Sequence, residues 1–260
     1  MKIAIIGAGN MGGAIARGLA KGTLVASEDV FVADPSKESL NKLKAFDDRI
    51  NVTTNNQEAV NGADWVMIAV KPWLVEEVIK GLQLNIEKQV IISIAAGVTF
   101  YNIADLIGDD ATIFRLLPNT GISDKASMTL IASRLATQEQ NQLMLDIFNE
   151  MGLAMLIPEN QMGAATALAS CGIAYALKYM QAAMQAGVEM GIPPQSAMKM
   201  VAQSVKGAAE LILNNDTHPS VEIDKVTTPG GYTIKGINEL EHAGFTSAII
   251  KAMKVSNPTT

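Results

Sequence analysis

Lys2-Ile3-Ala4-Ile5-Ile6-Gly7-Ala8-Gly9-Asn10-Met11-Gly12 stands near the head of a 260-residue chain, and its reading decides the fold. An apolar run only a strand long meets a Gly-x-Gly-x-x-Gly turn, and beyond it Ala14, Ile15 and Leu19 recur at helical spacing. A strand, a glycine turn and a helix in that order can receive the pyrophosphate of a dinucleotide. Gly7 permits the tight turn, Gly9 lets the phosphates approach the backbone, and Gly12 lets the helix pack against the strand. Unpaired N–H groups at the helix start, Asn10 and Met11 among them, then face the phosphates. A bare glycine pattern arises often by chance; the strand before this one and the helix after it are what give it weight. The run before Gly7 is read as a buried strand and not as a secretory leader, because glycines and Asn10 interrupt it.

Working outward, short β-rich runs alternate with helical patterns. Lys2–Ile6, Val30–Ala33, Val52–Thr53, Trp65–Val70 and Val90–Ile94 read as strands, with helices over 10–21 and 75–81. Strands are also expected at Ile113–Leu116, Met128–Ala132 and Leu153–Ile157. Before the last of these, Thr137-x-x-Gln140 forms a capping box ahead of a helix bearing Leu143, Met144, Ile147, Phe148 and Met151 on one side. Such alternation predicts an α/β domain with a doubly wound, mostly parallel sheet. After Pro158 no strand pattern remains. A long helical pattern with a break spans 159–191, Gly191-Ile192-Pro193-Pro194 ends it, and a helix over 195–213 follows. Residues 214–219 read as a polar turn, and a last pair of helices runs from about Thr228 to the tail. The expected division is a dinucleotide-binding Rossmann domain over 1–158 and an all-α substrate-binding and dimerisation domain over 159–260. The long helix is built mostly of small side chains, so neighbours can bury it on most sides, and those neighbours are expected in a second subunit.

Bulk composition excludes several classes. Hydrophobic residues make up 48% and charged residues 18% of the chain, as in an ordered globular protein. The formal net charge is −6 and no basic run is present, which argues against nucleic acid or an anionic membrane as partner. The one cysteine, Cys171, cannot build a disulfide framework and fits a reducing cytoplasm. The least polar later stretch, 162–177, is too short to span a bilayer. Neither His218 nor His242 has an acidic or cysteine partner at metal-ligand spacing, so no metal site is expected. His218 reads as a turn residue and His242 as a partly buried helical one.

Asp34 ends the second strand at the spacing of the acidic residue that binds a ribose 2′-hydroxyl, which favours NAD. Ser36 and Lys37 follow at once and can hold the 2′-phosphate of NADP, or simply begin a helix. The choice stays open. Val70-Lys71-Pro72 falls at the carboxyl end of the fourth strand, the edge where open α/β sheets bind ligands. Ala95-Ala96-Gly97 after the fifth strand offers small residues where a flat nicotinamide ring can pass the backbone. Farther on, Thr228-Pro229-Gly230-Gly231-Tyr232-Thr233 reads as a helix start with Thr228 as N-cap and Pro229 at the first helical position. Two glycines inside a first turn cost about 1 kcal/mol each relative to alanine. Their presence therefore argues for function, in the form of an uncovered helix start that receives a carboxylate.

At these residues the chain resembles the pyrroline-5-carboxylate reductase family. The matching parts are residues 7–12, Ala69-Val70-Lys71-Pro72, Ser93-Ile94-Ala95-Ala96-Gly97-Val98, Pro118-Asn119-Thr120, and His218-Pro219 with Val226-Thr227-Thr228-Pro229-Gly230-Gly231-Tyr232-Thr233. The last is the most specific. The resemblance implies hydride transfer from NADP(H), or NAD(H), to the cyclic imine 1-pyrroline-5-carboxylate, giving L-proline in the final step of its biosynthesis. It implies a homodimer through the C-terminal helices and larger rings of dimers. Carried over by position, Thr228 and the backbone from Gly230 to Thr233 hold the substrate carboxylate, the Thr233 hydroxyl bonds the ring nitrogen, and Asn56 lies near the cofactor ribose. Departures from the family pattern stand at Gly121 (usually proline), Lys125-Ala126-Ser127, Ile173, Ser204 and Tyr232. A non-catalytic paralogue that retains the cofactor fold is the alternative reading, and the intact Thr228–Thr233 cradle speaks against it.

Overall fold

Alternating side chains in the first strand explain why the chain builds a three-layer sandwich. The structure, a computed structural model, describes residues 1–258. In β1 (Ile3–Ile6), Ile3 and Ile5 enter one core and Ala4 and Ile6 the other, all fully buried. The same division continues through β2 (Val30–Ala33), β4 (Trp65–Ile68) and β5 (Val90–Ser93). Helices α1 (Asn10–Lys21) and α2 (Lys37–Phe46) cover the first face with Ile15, Leu19, Leu40 and Leu43. On the other face α3 (Asn56–Val60), α4 (Val75–Lys80) and α5 (Phe100–Ile107) insert Val60, Val75, Ile79 and Ile103. Each such buried side chain contributes about 1.5–3 kcal/mol.

With β3 (Asn51–Thr53), β6 (Ile113–Leu117), β7 (Ser127–Arg134) and β8 (Gly152–Leu156), eight strands form one sheet in the order β3-β2-β1-β4-β5-β6-β7-β8. Neighbours are parallel except β6 and β7. The order reverses at β1, whose neighbours are β2 and β4, so a crevice opens at the carboxyl ends of these strands. The fourth strand stops at Ile68, two residues earlier than its apolar run suggests. The Ala69 N–H still bonds the Ile6 carbonyl at 2.8 Å, and the chain then turns away at Pro72. Ahead of α6 (Gln138–Asn149), the Gln140 N–H donates to the Thr137 hydroxyl at 3.2 Å and the Thr137 N–H to Gln140 Oε1 at 2.8 Å, completing the capping box.

The chain forms two compact units, in essence Met1–Ser170 and Cys171–Ser256. The first unit ends with α7 (Met162–Ala165) and most of a π-helical turn, Thr166–Cys171, which is the expected break in the long helix. The second unit holds α8 (Gly172–Glu189), α9 (Pro194–Asn215), α10 (Pro219–Val226), α11 (Tyr232–His242) and α12 (Phe245–Val255). Helix α10 lies between the expected polar turn and the last helix pair, where sequence patterning shows none. Its apolar positions are few, and the His218 ring caps it by accepting from the Ser220 N–H at 3.2 Å. His242 is exposed and not partly buried, because α11 buries no residue in this unit. Among the described residues of the second unit only Gly187 and Ala197 are buried. Five helices therefore carry almost no core of their own.

Loss of the Thr137 hydroxyl leaves α6 with an unsatisfied first turn. We expect Thr137→Ala to cost about 1 kcal/mol, read as a Tm lower by roughly 2–4 °C in thermal unfolding. An unchanged Tm contradicts the capping assignment.

Candidate active site

Close packing at the first strand–helix turn determines which residues face the crevice. Gly7 adopts φ +110°, and a Cβ there would lie 2.5 Å from the Ala69 carbonyl oxygen. At Gly12 a Cβ would come within 2.0 Å of the Gly7 carbonyl oxygen and 2.9 Å of Ala69 Cβ, so α1 touches the turn and the end of β4 at once. Gly9, by contrast, faces open space, with nothing within 4 Å of its Cβ position. It is the N-cap of α1 and no side chain caps the helix, so first-turn N–H groups remain available to an anion. Tight where the chain packs and empty where phosphates would enter, this arrangement fits a dinucleotide.

Asp34 holds the turn from the side. Its Oδ2 accepts from the Ala8 N–H at 2.6 Å and its Oδ1 from the Ser36 N–H at 2.7 Å. One carboxylate thus fastens the glycine turn to the end of β2. The Ser36 hydroxyl is engaged as the N-cap of α2, accepting from Ser39 N–H at 3.2 Å, while Lys37 is exposed. Asn56 opens α3 behind its own N-cap, Asn55.

A cavity of about 770 Å³ gathers most of the expected residues at the carboxyl edge: Gly7, Gly9, Asn10, Met11, Asp34, Asn56, Ala69, Val70, Lys71, Pro72, Ala95 and Ala96. Its volume lies within the range of small-molecule and cofactor pockets. Ala8, Gly12, Ser36 and Lys37 are not part of its wall; Ala8 is buried behind its bond to Asp34, and Gly12 is packed against Gly7. Leu74, Glu77 and Val78 also line it, although no motif in the sequence marks them. Their i, i+3, i+4 spacing after the Lys71-Pro72 corner is the signal that points them to one side of the chain. Among the described residues no group of three or more His, Cys, Asp or Glu is placed to hold a metal ion.

In the second unit, the segment before α11 differs from the helix start expected there. Thr228 is not an N-cap and Pro229 is not the first helical residue. Residues 228–231 form a β-turn, in which the Gly231 N–H bonds the Thr228 carbonyl at 3.0 Å and Gly230 takes φ +71°. Proline followed by a residue of positive φ suits a type II turn. Gly231 is the N-cap and Tyr232 the first helical residue, so neither glycine lies inside the helix and the helix-interior cost does not apply. The turn is close at Gly231, where a Cβ would stand 2.6 Å from Thr228 Oγ1 and 3.0 Å from the Thr228 carbonyl oxygen. The Thr228 hydroxyl consequently lies over the start of α11, which has no side-chain cap. Tyr232 is 93% exposed, and Lys235 sits 5.9 Å from its ring centroid. Thr228, Gly230 and Gly231 thus lie in the turn, and Tyr232 and Thr233 are the first two residues of α11.

Comparison with known proteins gives consistent findings. Residues 2–97 match a family model described as NADP oxidoreductase, coenzyme F420-dependent, and residues 159–258 match one described as pyrroline-5-carboxylate reductase dimerisation. Pyrroline-5-carboxylate reductase 1 of Dictyostelium discoideum is 36% identical over 268 residues, covering 98% of this chain and 48% of the relative, so the chain spans about half of that protein. Reductase 2 of the same organism is 36% identical over 270 residues, covering 98% of this chain and 90% of the relative. The crystal structure of Plasmodium falciparum pyrroline carboxylate reductase with NADP bound superimposes with a TM-score of 0.89 at 26% identity, over 100% of this chain and 96% of that one.

Since Gly12 has no room for a side chain, we expect Gly12→Ala to push α1 off the turn and to weaken NADPH or NADH binding about tenfold or more, ~1.4 kcal/mol, in a calorimetric titration. An unchanged affinity contradicts the role given to this contact.

Proposed function

We infer the reaction from one premise: the chain belongs to the pyrroline-5-carboxylate reductase family. The proposed activity is reduction of 1-pyrroline-5-carboxylate to L-proline, the last step of proline biosynthesis, with NADP(H) as cofactor and NAD(H) as an alternative. What carries this reading is full-length similarity to a reductase, 98% of this chain against 90% of the relative, joined to a glycine turn with open space at Gly9.

In this reading the first-turn amides of α1 and the wall formed by Gly7, Asn10, Met11, Ala69–Pro72, Ala95 and Ala96 bind the dinucleotide, with Asn56 and Asp34 toward the adenosine ribose. Ala8, Gly12, Ser36 and Lys37 support that wall or its rim. The nicotinamide, when bound, supplies a hydride to the imine carbon. Thr228 and the amides from Gly230 to Thr233 hold the carboxylate, and the Thr233 hydroxyl bonds the ring nitrogen, orienting it and relaying its proton. A protonated imine is already an electrophile, so the residues chiefly orient and need not activate. Asp34 bears on cofactor choice, because a carboxylate next to a 2′-phosphate is repelled.

The working division assigns 1–158 to the dinucleotide and 159–260 to substrate binding and dimerisation. The near absence of buried residues after Cys171, together with the dimerisation profile over 159–258, supports a homodimer through these helices. Larger rings of dimers follow the family. No helix of the described residues is long and apolar enough to cross a membrane. The net charge of −6 gives nucleic acid no footprint, and the single cysteine supports a cytoplasmic enzyme.

A steady-state assay with pyrroline-5-carboxylate and either NADPH or NADH is expected to give turnover, and none with either cofactor overturns the reading. Thr233→Ala should lower kcat about tenfold or more without a change in the unfolding profile, through loss of a hydrogen bond to a charged group; unchanged kinetics refute its role. Asp34→Ser should raise the preference for NADPH over NADH by about an order of magnitude in binding, ~1.4 kcal/mol. No shift means that the carboxylate serves only the Ala8 and Ser36 N–H groups.

A further inference from the structure

Pro118-Asn119-Thr120 plays no part in the chemistry proposed so far, yet Asn119 is 8% exposed and every polar group on it is engaged. Its N–H donates to Ser127 Oγ at 3.1 Å, and its carbonyl accepts from the Ile122 N–H at 3.2 Å. Its Oδ1 accepts from the Gly121 N–H at 3.0 Å, and its Nδ2 donates to the Ala169 carbonyl at 3.2 Å. The first three bonds shape the short 3₁₀ segment Thr120–Asp124, which packs against α1 and sends Ile122 into the core that also holds Ile15. The fourth reaches fifty positions along the chain, into the π-helical turn.

That turn is out of α-helical register, and such turns concentrate at functional sites. Asn119 supplies an outside partner for one of its carbonyls. The direction of the amide is set locally. With Oδ1 held by the Gly121 N–H, Nδ2 is left to face Ala169. Gly121 is needed for this, because a Cβ there would lie 2.6 Å from the Ala126 carbonyl oxygen and 3.0 Å from Asn119 Oδ1. A proline at this position would have no N–H to offer Oδ1. Ala169 is the next-to-last residue of the stretch Met1–Ser170 of the first unit, and the chain from Cys171 onward carries Thr228–Thr233.

We propose that Asn119 is a positioning residue for hydride transfer: its side-chain amide pins the turn Thr166–Cys171 to the loop behind α1, and so fixes where the substrate-carrying part of the chain leaves the cofactor unit. The inference rests on the reductase reading. Asn119→Asp keeps the acceptor for Gly121 and puts a carboxylate oxygen where Ala169 needs a donor. Asn119→Ser keeps an acceptor on a shorter arm that cannot bridge to Ala169. Both variants should lower kcat about tenfold or more, since a misplacement of order 1 Å can cost ~100-fold, while NADPH affinity by fluorescence titration stays within about twofold.

The kinetic isotope effect with NADPH deuterated at the transferred position should rise in both variants, as the hydride step becomes rate-limiting. A purely structural staple moves Tm and leaves that isotope effect alone. Ser127→Ala, which removes the bonds of that hydroxyl to the Asn119 N–H and to Thr129 Oγ1 and leaves the Asn119 side chain with both its partners, should keep the wild-type isotope effect. Unchanged kcat and isotope effect in both Asn119 variants overturn the proposal, as does a loss of kcat fully matched by a loss of folded protein. If the wild-type chain does not reduce pyrroline-5-carboxylate, the reductase reading falls and the proposal with it. If it does and the Asn119 variants behave like it, the proposal alone falls.

Discussion

The contact on which the first unit depends is that between Gly12 and the Gly7 carbonyl. A strand, a turn and a helix can be joined in many ways, but only without a side chain at position 12 can α1 rest directly on the turn that feeds it. That closeness aims the free N–H groups of the first helical turn at the crevice beside β1, where the strand order reverses. Ala69, at the end of β4, belongs to the same contact through its Cβ and its carbonyl, which is why the residues after β4 face the same cavity. Asp34 closes the arrangement by binding the Ala8 N–H. A buried backbone donor at this place would otherwise be left unpaired at a cost of about 1–3 kcal/mol.

The second unit obeys the opposite constraint. Five helices with only Gly187 and Ala197 buried cannot offset the entropy of their own ordering. Leu168 before them and Met190, Leu213 and Val226 among them are exposed in the single chain. Small side chains along α8 and α9 let the two helices approach closely, as Gly187 against Ala197 shows, yet little apolar area is removed from water. The fold of this unit and its assembly are therefore one problem: what stabilises the helices must come largely from outside them.

Sequence patterning serves the two units unequally, for a physical reason. In the first, strand β2 runs over the residues its pattern predicts, Val30–Ala33, because burial on both faces leaves a near-continuous apolar run, and α1 runs over 10–21 between Gly9 and Gly22. The Thr137 capping box is equally plain, being a purely local signal. In the second unit α10 is invisible to patterning because it is only eight residues long and carries three apolar side chains besides its proline, Val221, Ile223 and Val226, too few to show a helical period. The Thr228–Gly231 segment shifts by a few residues for a related reason. Thr-Pro reads as cap and first helical position, and Pro-Gly equally as the centre of a type II turn; only the positive φ of Gly230 decides between them. Asn119 shows a further limit, because its bond to Ala169 spans fifty positions and no local pattern announces it.

Backbone groups dominate both halves of the candidate chemistry, and this follows from the reaction proposed. A protonated cyclic imine needs no strong acid or nucleophile, only a fixed carboxylate and a fixed nitrogen. Amides at a helix start suit the carboxylate, being rigid, uncharged and directional, and a threonine hydroxyl suits the nitrogen. In the proposed site the part of Tyr232 that serves is its amide, and its ring is exposed in the single chain. What such a site does not tolerate is a shift of the backbone itself. The groups that matter most are then those holding main chain to main chain: the glycines at 7 and 12, the turn glycine at 230, and the side chains of Asp34 and Asn119, which each bind main-chain groups from two segments.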